Sequence, residues 1–308
     1  MIKLFNYLDR KLFVDQWNIA IVPRPIYSFL NESLTYEFNF LFKPLRNEFY
    51  ADPFGIFIKN NHYIFYEHFD YCSHRGTINC AEINGKGVKR NYYDIIRIED
   101  HSSYPFILEH EGNVFCIPAD LNSNKLTLYQ ALEFPTKWRN AGDILIDFQA
   151  VDPTIIFFKH HWWLFCNNAR EGENDTLYAF YSHNIFGPWQ PHKKNPIKKD
   201  IQSSRPAGTP FIFEDNLFRP AQDCSEDYGQ RIIINKIISL TPSDFIEEIW
   251  RVVYPPAQLK KYCGVHTISK MNSYTLIDIK QKVFSPGAFI NKILASAWPP
   301  GSHPGWLG

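Results

Sequence analysis

The sequence twice sets an aspartate before a proline at the head of an apolar run. The two stretches are FYADPFGIF (49–57) and QAVDPTIIFF (149–158), so Asp52 and Asp152 lie 100 residues apart. Carboxylates gathered in one site can divide the work of proton transfer. One accepts a proton from a nucleophile, while another, its proton affinity raised by burial or like charge, donates one to a leaving group. Glu67, which follows four apolar residues in IFYEHF, is a third candidate. Arg205 in SSRPAGTPF (203–211) and Arg219 in FRPAQDCSEDYG (218–229) carry planar guanidinium forks. Such forks bind a carboxylate or a phosphate through two parallel hydrogen bonds. Each of these residues also has a plain structural reading. Asp-Pro is a common turn starter, Glu67 can cap a strand end, His266 can be a satisfied core histidine, and the arginines can pair with Asp223 or Glu226 to brace the fold.

An internal repeat is what would position these residues. The stretches ADPFGIFIKNNHYIFYEHF (51–69), SYPFILEHEGNVFCIPAD (103–120), VDPTIIFFKHHWWLFCNN (151–168) and GTPFIFEDNLFRPAQD (208–223) share one pattern. Each has a proline, an apolar strand, a short polar turn, and a second apolar strand that ends in polar residues. The prolines stand at 53, 105, 153 and 210, and a degenerate fifth copy, GVHTISKMNSYTLIDIK (264–280), follows at the same interval. Strand hairpins repeating about every fifty residues are the signature of propeller blades of about four strands. Runs such as KLTLYQALEF (125–134) and TLYAFYSHN (176–184) supply outer strands. The expected fold is all-β, a five-bladed β-propeller over 35–284. An N-terminal segment, 1–34, supplies a ring-closing strand at QWNIAIV (16–22), and the Pro/Gly-rich tail 285–308 is a loop or packed extension.

In a propeller the innermost strands run alike along the central channel, so the residues that precede them meet at one rim. These are Asp52, Tyr104, Asp152, Thr209 and His266. The second strands return to the same rim with Glu67, Asn167, Gln222 and Asp223. The expected catalytic set is Asp52, Asp152 and Glu67. Tyr104, Arg205, Arg219, Gln222, Asp223, His266 and Asn167 are expected to bind substrate. His160 and His161 fall in a hairpin turn on the opposite face, and no third ligand stands at a metal-like spacing from them. No metal or cofactor is expected.

Composition excludes other classes. The 308 residues are 45% hydrophobic and 17% aromatic, which favours strands and a large core. Lys+Arg and Asp+Glu both number 32, so there is no basic excess for nucleic acid. No apolar run is long enough to span a bilayer. The start, MIKLFNYLDRKLFVDQWNIAIV, lacks a signal-peptide core. Six cysteines without compact pairing read as free thiols in a cytoplasmic protein.

The motifs ADP and VDP, with HSSYPF (101–106) and YSHNIFGPWQPHKKNPI (181–197), resemble the five-bladed propellers of glycoside hydrolase family 43. The resemblance implies a general base at Asp52 and, at Asp152, an aspartate that orients and tunes the acid. That family's acid glutamate opens blade four, where this chain reads SSRPAGTPF and has none. A phosphate leaving group, which departs without strong protonation, would account for that gap. A closer resemblance covers about 16–282. It rests on YADPF, YEHF, SYPFILE, WWLF, GPWQPHKKNPI, SRPAGTPF, FRPAQDCSEDYG and GVHTIS. It is to the N-terminal propeller of plant glucosamine inositolphosphorylceramide transferases and its stand-alone bacterial relatives. It implies a carbohydrate or sugar-phosphate ligand, partner enzymes of glycan biosynthesis and a place in surface-polysaccharide metabolism. Two functions follow: an enzyme of inverting glycosyl transfer or hydrolysis, or a non-catalytic glycan-binding propeller.

Overall fold

A computed structural model describes residues 13–32, 36–84, 87–120, 122–256 and 261–285. The first strand is β1 (Phe13–Val22), followed by a 3-10 turn (Ile26–Leu30) and β2 (Asn39–Phe40). Blade one is β3 (Glu48–Ile58), β4 (Asn61–Asp70), β5 (Arg75–Asn84) and β6 (Gly87–Ile96). Blade two is β7 (Ser102–His110), β8 (Asn113–Asp120), β9 (Lys125–Glu133) and β10 (Lys137–Ile146). Blade three is β11 (Ala150–Phe158), β12 (His161–Asn168) and β13 (Gly172–Ser182), edged by β14 (Gln190–Pro191) and β15 (Lys198–Lys199). Blade four is β16 (Phe211–Phe213), β17 (Asn216–Asp223), β18 (Arg231–Thr241) and β19 (Asp244–Val253). Blade five joins β20 (Tyr262–Gly264), β21 (Ile268–Met271) and β22 (Tyr274–Phe284) to β1 and β2 from the other end of the chain.

The protein is therefore an all-β, five-bladed propeller. β1 lies antiparallel to β22 along its whole length, from Phe13 opposite Phe284 to Val22 opposite Thr275. Apolar residues fill the spaces between blades. Phe54, Phe65, Phe106, Phe115, Leu164 and Cys166 belong to one core that joins blades one to three. Val22, Phe218, Ile234, Ile268 and Ile277 belong to another that joins blades four and five. Hiding one such side chain stabilises the fold by about 1.5–3 kcal/mol. Among the described residues no helix is long and apolar enough to cross a membrane. All six cysteines are free. The tail at 297–308 lies outside the described residues.

The rim residues of the first three blades do not precede their strands; they lie inside them, at bulges. In β3, Ala51 pairs with Glu67 and Phe54 with Phe65, so Asp52 and Pro53 together oppose Tyr66 alone. Tyr104–Pro105 and Asp152–Pro153 repeat this in β7 and β11. Asp52, Tyr104 and Asp152 take φ of 51°, 47° and 50°, a left-handed region that side chains avoid and that a following proline makes less welcome still. A bulge re-aims one side chain and leaves an unpaired position, where the missing N–H of proline costs nothing. The repeated proline motif is thus a device for aiming a side chain down the channel. The strained conformation is held from the neighbouring blade. The Asp52 N–H donates to Asp278 Oδ2 of β22 at 2.9 Å, and the Tyr104 N–H donates to Asp52 Oδ2 at 3.3 Å.

Candidate functional site

At the mouth of the channel Asp52, Glu67, Asp152 and His266 come together with Asp278, which sequence reasoning missed. Asp52, Glu67 and Asp152 are 6%, 5% and 3% exposed. Asp52 Oδ1 accepts from the Thr267 hydroxyl at 2.8 Å and lies 3.6 Å from His266 Nε2. Burial pushes the Asp52 carboxyl up to about 6; His266 opposes the shift, while the Asp152 and Asp278 charges add to it. Glu67 is raised well above the usual carboxylate range, first by burial and then by the charges of Asp52, Asp152 and Asp278. Burial and like charge thus both favour its protonated form.

Asp152 is the counterpart held by a cation. Its Oδ2 accepts from Arg205 Nε at 2.7 Å and Gln222 Nε2 at 2.9 Å. Arg205 also donates to Asn174 Oδ1 at 2.8 Å and sits 5.1 Å from the centre of the Tyr228 ring.

His266 is stacked on Trp17 of β1, ring centres 3.8 Å apart, with Nδ1 2.7 Å from Asp278 Oδ1. Burial alone would lower its pKa, but Asp278, Asp52 and Asp152 outweigh burial and raise it. Asp278 also accepts the backbone N–H groups of Asp52, His266 and Thr267. Asp52, His266 and Asp278 offer ligand atoms within 4.8 Å of one another. With the Asp278 oxygens taken by three N–H groups and the imidazole, this trio fits an internal ion pair better than a cation cage.

A second histidine that sequence reasoning missed faces Glu67. The Gly76 N–H donates to His101 Nδ1 at 2.9 Å, which leaves the ring proton on Nε2, 3.6 Å from Glu67 Oε1. Burial lowers the His101 pKa to about 4, so the imidazole is neutral beside Glu67. Gly76 is needed here: a Cβ would meet Glu67 Oε1 at 2.5 Å and His101 Cε1 at 2.6 Å.

Four expected ligand contacts are corrected. Arg219 is buried outside the funnel in a two-bond pair with Glu247 of β19, at 2.9 and 2.7 Å, and also donates to the Ser203 and Ser204 carbonyls. Its fork is spent on bracing the segment that presents Arg205. Asp223 accepts from Arg231 Nε at 2.6 Å and from the N–H and hydroxyl of Ser225. Burial would raise its pKa, but these donors hold it below the usual range. Asn167 turns to donate to the Glu173 carbonyl at 3.0 Å. Tyr104 is fully buried, and its hydroxyl accepts from the Gly208 N–H at 2.6 Å and meets Thr154 Oγ1 at 3.2 Å. It ties blade two to blades three and four beneath the site. Arg205 and Gln222 do reach the funnel, though both are bound to Asp152.

A five-bladed propeller with a buried acidic cluster at one mouth of its channel is the class of protein that this geometry defines. Its architecture is similar to a family 117 glycoside hydrolase of Zobellia galactanivorans, with TM-score 0.56 and 16% identity over 88% of this chain and 91% of that one. It is also similar to an α-L-arabinofuranosidase of Podospora anserina, with TM-score 0.53 and 10% identity over 77% and 91%. At such identities the likeness is one of fold.

Within that class the chain belongs to the family described as glucosamine inositolphosphorylceramide transferase 1, N-terminal, which matches residues 42–268. Glucosamine inositolphosphorylceramide transferase 1 of Oryza sativa subsp. japonica is 34% identical over 207 residues, 65% of this chain and 28% of the relative. The Arabidopsis thaliana protein of the same name is 32% identical over 209 residues, 66% and 27%. The chain thus spans under a third of the length of these relatives.

Proposed function

We propose that the funnel is a glycan-active catalytic site performing inverting glycosyl transfer or hydrolysis. One observation carries this reading: two neighbouring carboxyls, Asp52 and Glu67, have raised proton affinity beside a third, Asp152, that is held by an arginine. Buried carboxylates left without full pairing are costly, and sites of proton transfer are where that cost is met. In the proposed step Asp52 takes the proton from the attacking hydroxyl as its oxygen bonds the anomeric carbon. The bond to the leaving oxygen breaks, and Glu67 supplies that oxygen's proton. Arg205 and Gln222 fix the position of Asp152 by hydrogen bonds to its Oδ2. The names of the relatives, which are transferases, and of the structural neighbours, which are hydrolases, support a carbohydrate ligand. The proposal extends to surface-polysaccharide synthesis in the cytoplasm, where six free thiols would persist.

The test is turnover of nucleotide sugars, sugar phosphates and aryl glycosides by wild type, Asp52→Asn and Glu67→Gln. Turnover lost in both variants with glycan binding kept is the expected result. A second reading, a glycan-binding module without chemistry, is favoured by the absence of a glutamate where blade four opens. Binding without turnover, indifferent to both substitutions, would establish it instead.

A further inference from the structure

The loop joining β17 to β18, CSEDYG (224–229), lies against the acidic cluster and differs from the rest of the rim. Tyr228 is half-buried while the carboxylates beneath it are almost wholly buried. Its ring lies 5.1 Å from the Arg205 guanidinium and edge-on to both His266 and Trp17, at 5.4 and 6.3 Å. Tyr228 thus links solvent to the groups that hold Asp52 and Asp152.

The base of this loop is fixed. The Cys224 N–H donates to the Ile201 carbonyl at 3.1 Å, the Gln230 N–H to the Asp223 carbonyl at 3.3 Å, and the Val265 N–H to the Gly229 carbonyl at 3.0 Å. Gly229 has φ of 61°, and a Cβ there would meet His266 Cβ at 2.7 Å and Trp17 Cη2 at 2.8 Å, so only glycine seats the loop this closely. The tip is held differently. The ammonium of Lys280, a fully buried lysine of β22, donates to Asp227 Oδ2 at 2.9 Å and to the Tyr228 carbonyl at 2.5 Å.

Opening that latch releases an exposed carboxylate and leaves the buried ammonium a second one. Asp227 is 48% exposed, so its carboxylate returns to water with little penalty. Lys280 would keep Asp15 at 3.5 Å and the face of Trp17 at 5.4 Å, so its charge is not left bare.

We propose that 226–228 is a movable wall of the funnel, latched by Lys280, and that Tyr228 is the side chain a glycan stacks upon as it reaches Asp152. The ligand part of this rests on the funnel being the glycan site; the wall itself does not. Because Arg205 is bound to Asp152 and Asn174 and faced by Tyr228, the wall would present an aromatic ring to a sugar face, the apolar-and-polar contact that pyranose rings offer.

Cys224 is a native reporter. Its thiol faces the Arg205 and Asp152 charges and is pushed up chiefly by burial, so it reacts slowly while the wall is shut. The full chain would be alkylated with iodoacetamide and the modified cysteines mapped by mass spectrometry, with exposed Cys72 as the internal standard. Asp227→Asn should speed Cys224 modification by about tenfold, the factor expected from losing one charge-assisted hydrogen bond. Tyr228→Ala should speed it further, with Cys72 unchanged in both. An unchanged Cys224 rate in both variants would overturn the wall, whether or not any glycan is ever turned over. With a substrate that the wild type turns over, Tyr228→Ala should raise KM several-fold with kcat nearly kept and Tyr228→Phe should behave as wild type. Loss of kcat at constant KM would overturn the role of Tyr228 as ligand wall.

Discussion

In the proposed reaction Asp52 is the residue on which the chemistry turns, and its raised pKa makes two measurable claims. As a general base it must be deprotonated, so kcat/KM should rise as pH increases through about 6, the proton affinity of the buried carboxyl. Stability should move the other way. A carboxyl raised from about 3.8 in the open chain to about 6 when folded adds stability at low pH that is lost as pH climbs through 6. Asp52→Asn removes that dependence. Relative to wild type, the variant should gain about 2 kcal/mol between pH 4 and pH 8, since each tenfold change in proton affinity is worth about 1.4 kcal/mol and part of the change lies below pH 4. Denaturant unfolding at the two pH values checks it, and a gain of the opposite sign would mean that Asp52 is paired in its charged form. A variant both inactive and sturdier is what a site that trades stability for function gives.

Among the elements, the brace beneath Arg205 separates binding from architecture. Arg219→Leu should cost about 3 kcal/mol, because buried Glu247 loses its two-bond partner and keeps only Lys198, at 2.8 Å, whereas Arg219→Leu with Glu247→Leu should recover most of the loss. Thermal or denaturant unfolding of the pair decides it; ordinary stability in the single variant would return Arg219 to the ligand contacts. At the same scale, Tyr104→Phe strands the Gly208 N–H and should cost about 1–3 kcal/mol, again read from unfolding.

These cases show what the sequence could disclose. Strand pairs and blade number were legible because alternating apolar runs and the spaced prolines recur, and the rim position of Asp52, Glu67 and Asp152 follows from strand direction alone. The partner of Arg219 was not, because it lies 28 residues on in an outer strand. Asp278 left a faint trace, a carboxylate inside the apolar run YTLIDIK. A charge placed there has to be paired, and that could have been noticed. His101 left none: only the close approach at Gly76 brings it to Glu67. Nor could the bulges be read, since Asp-Pro at a strand head and Asp-Pro within a strand look alike until register is known.

For the whole molecule, the ring depends on β1. Removing residues through Val22 deletes the strand that pairs with all of β22, exposes Ile277 and Ile279, and takes Trp17 from His266. The shortened chain should lack a cooperative unfolding transition by circular dichroism, and a synthetic peptide of residues 13–22 added in trans should restore it. A truncated chain that still melts cooperatively would mean that blade five stands without its third strand.

Trp17 belongs to the first described strand, while His266, Asp278 and Lys280 belong to the last blade. On a ribosome β1 emerges before the other blades and must wait for its partner until all five have been made. Through that interval Asp278 cannot clamp the Asp52 bulge and His266 has no indole to lie against. The acidic cluster is complete only when β1 and β22 are both in place, so a chain lacking either carries the carboxylates without the arrangement that sets their proton affinities. Closure of the circle and readiness of the site are one event.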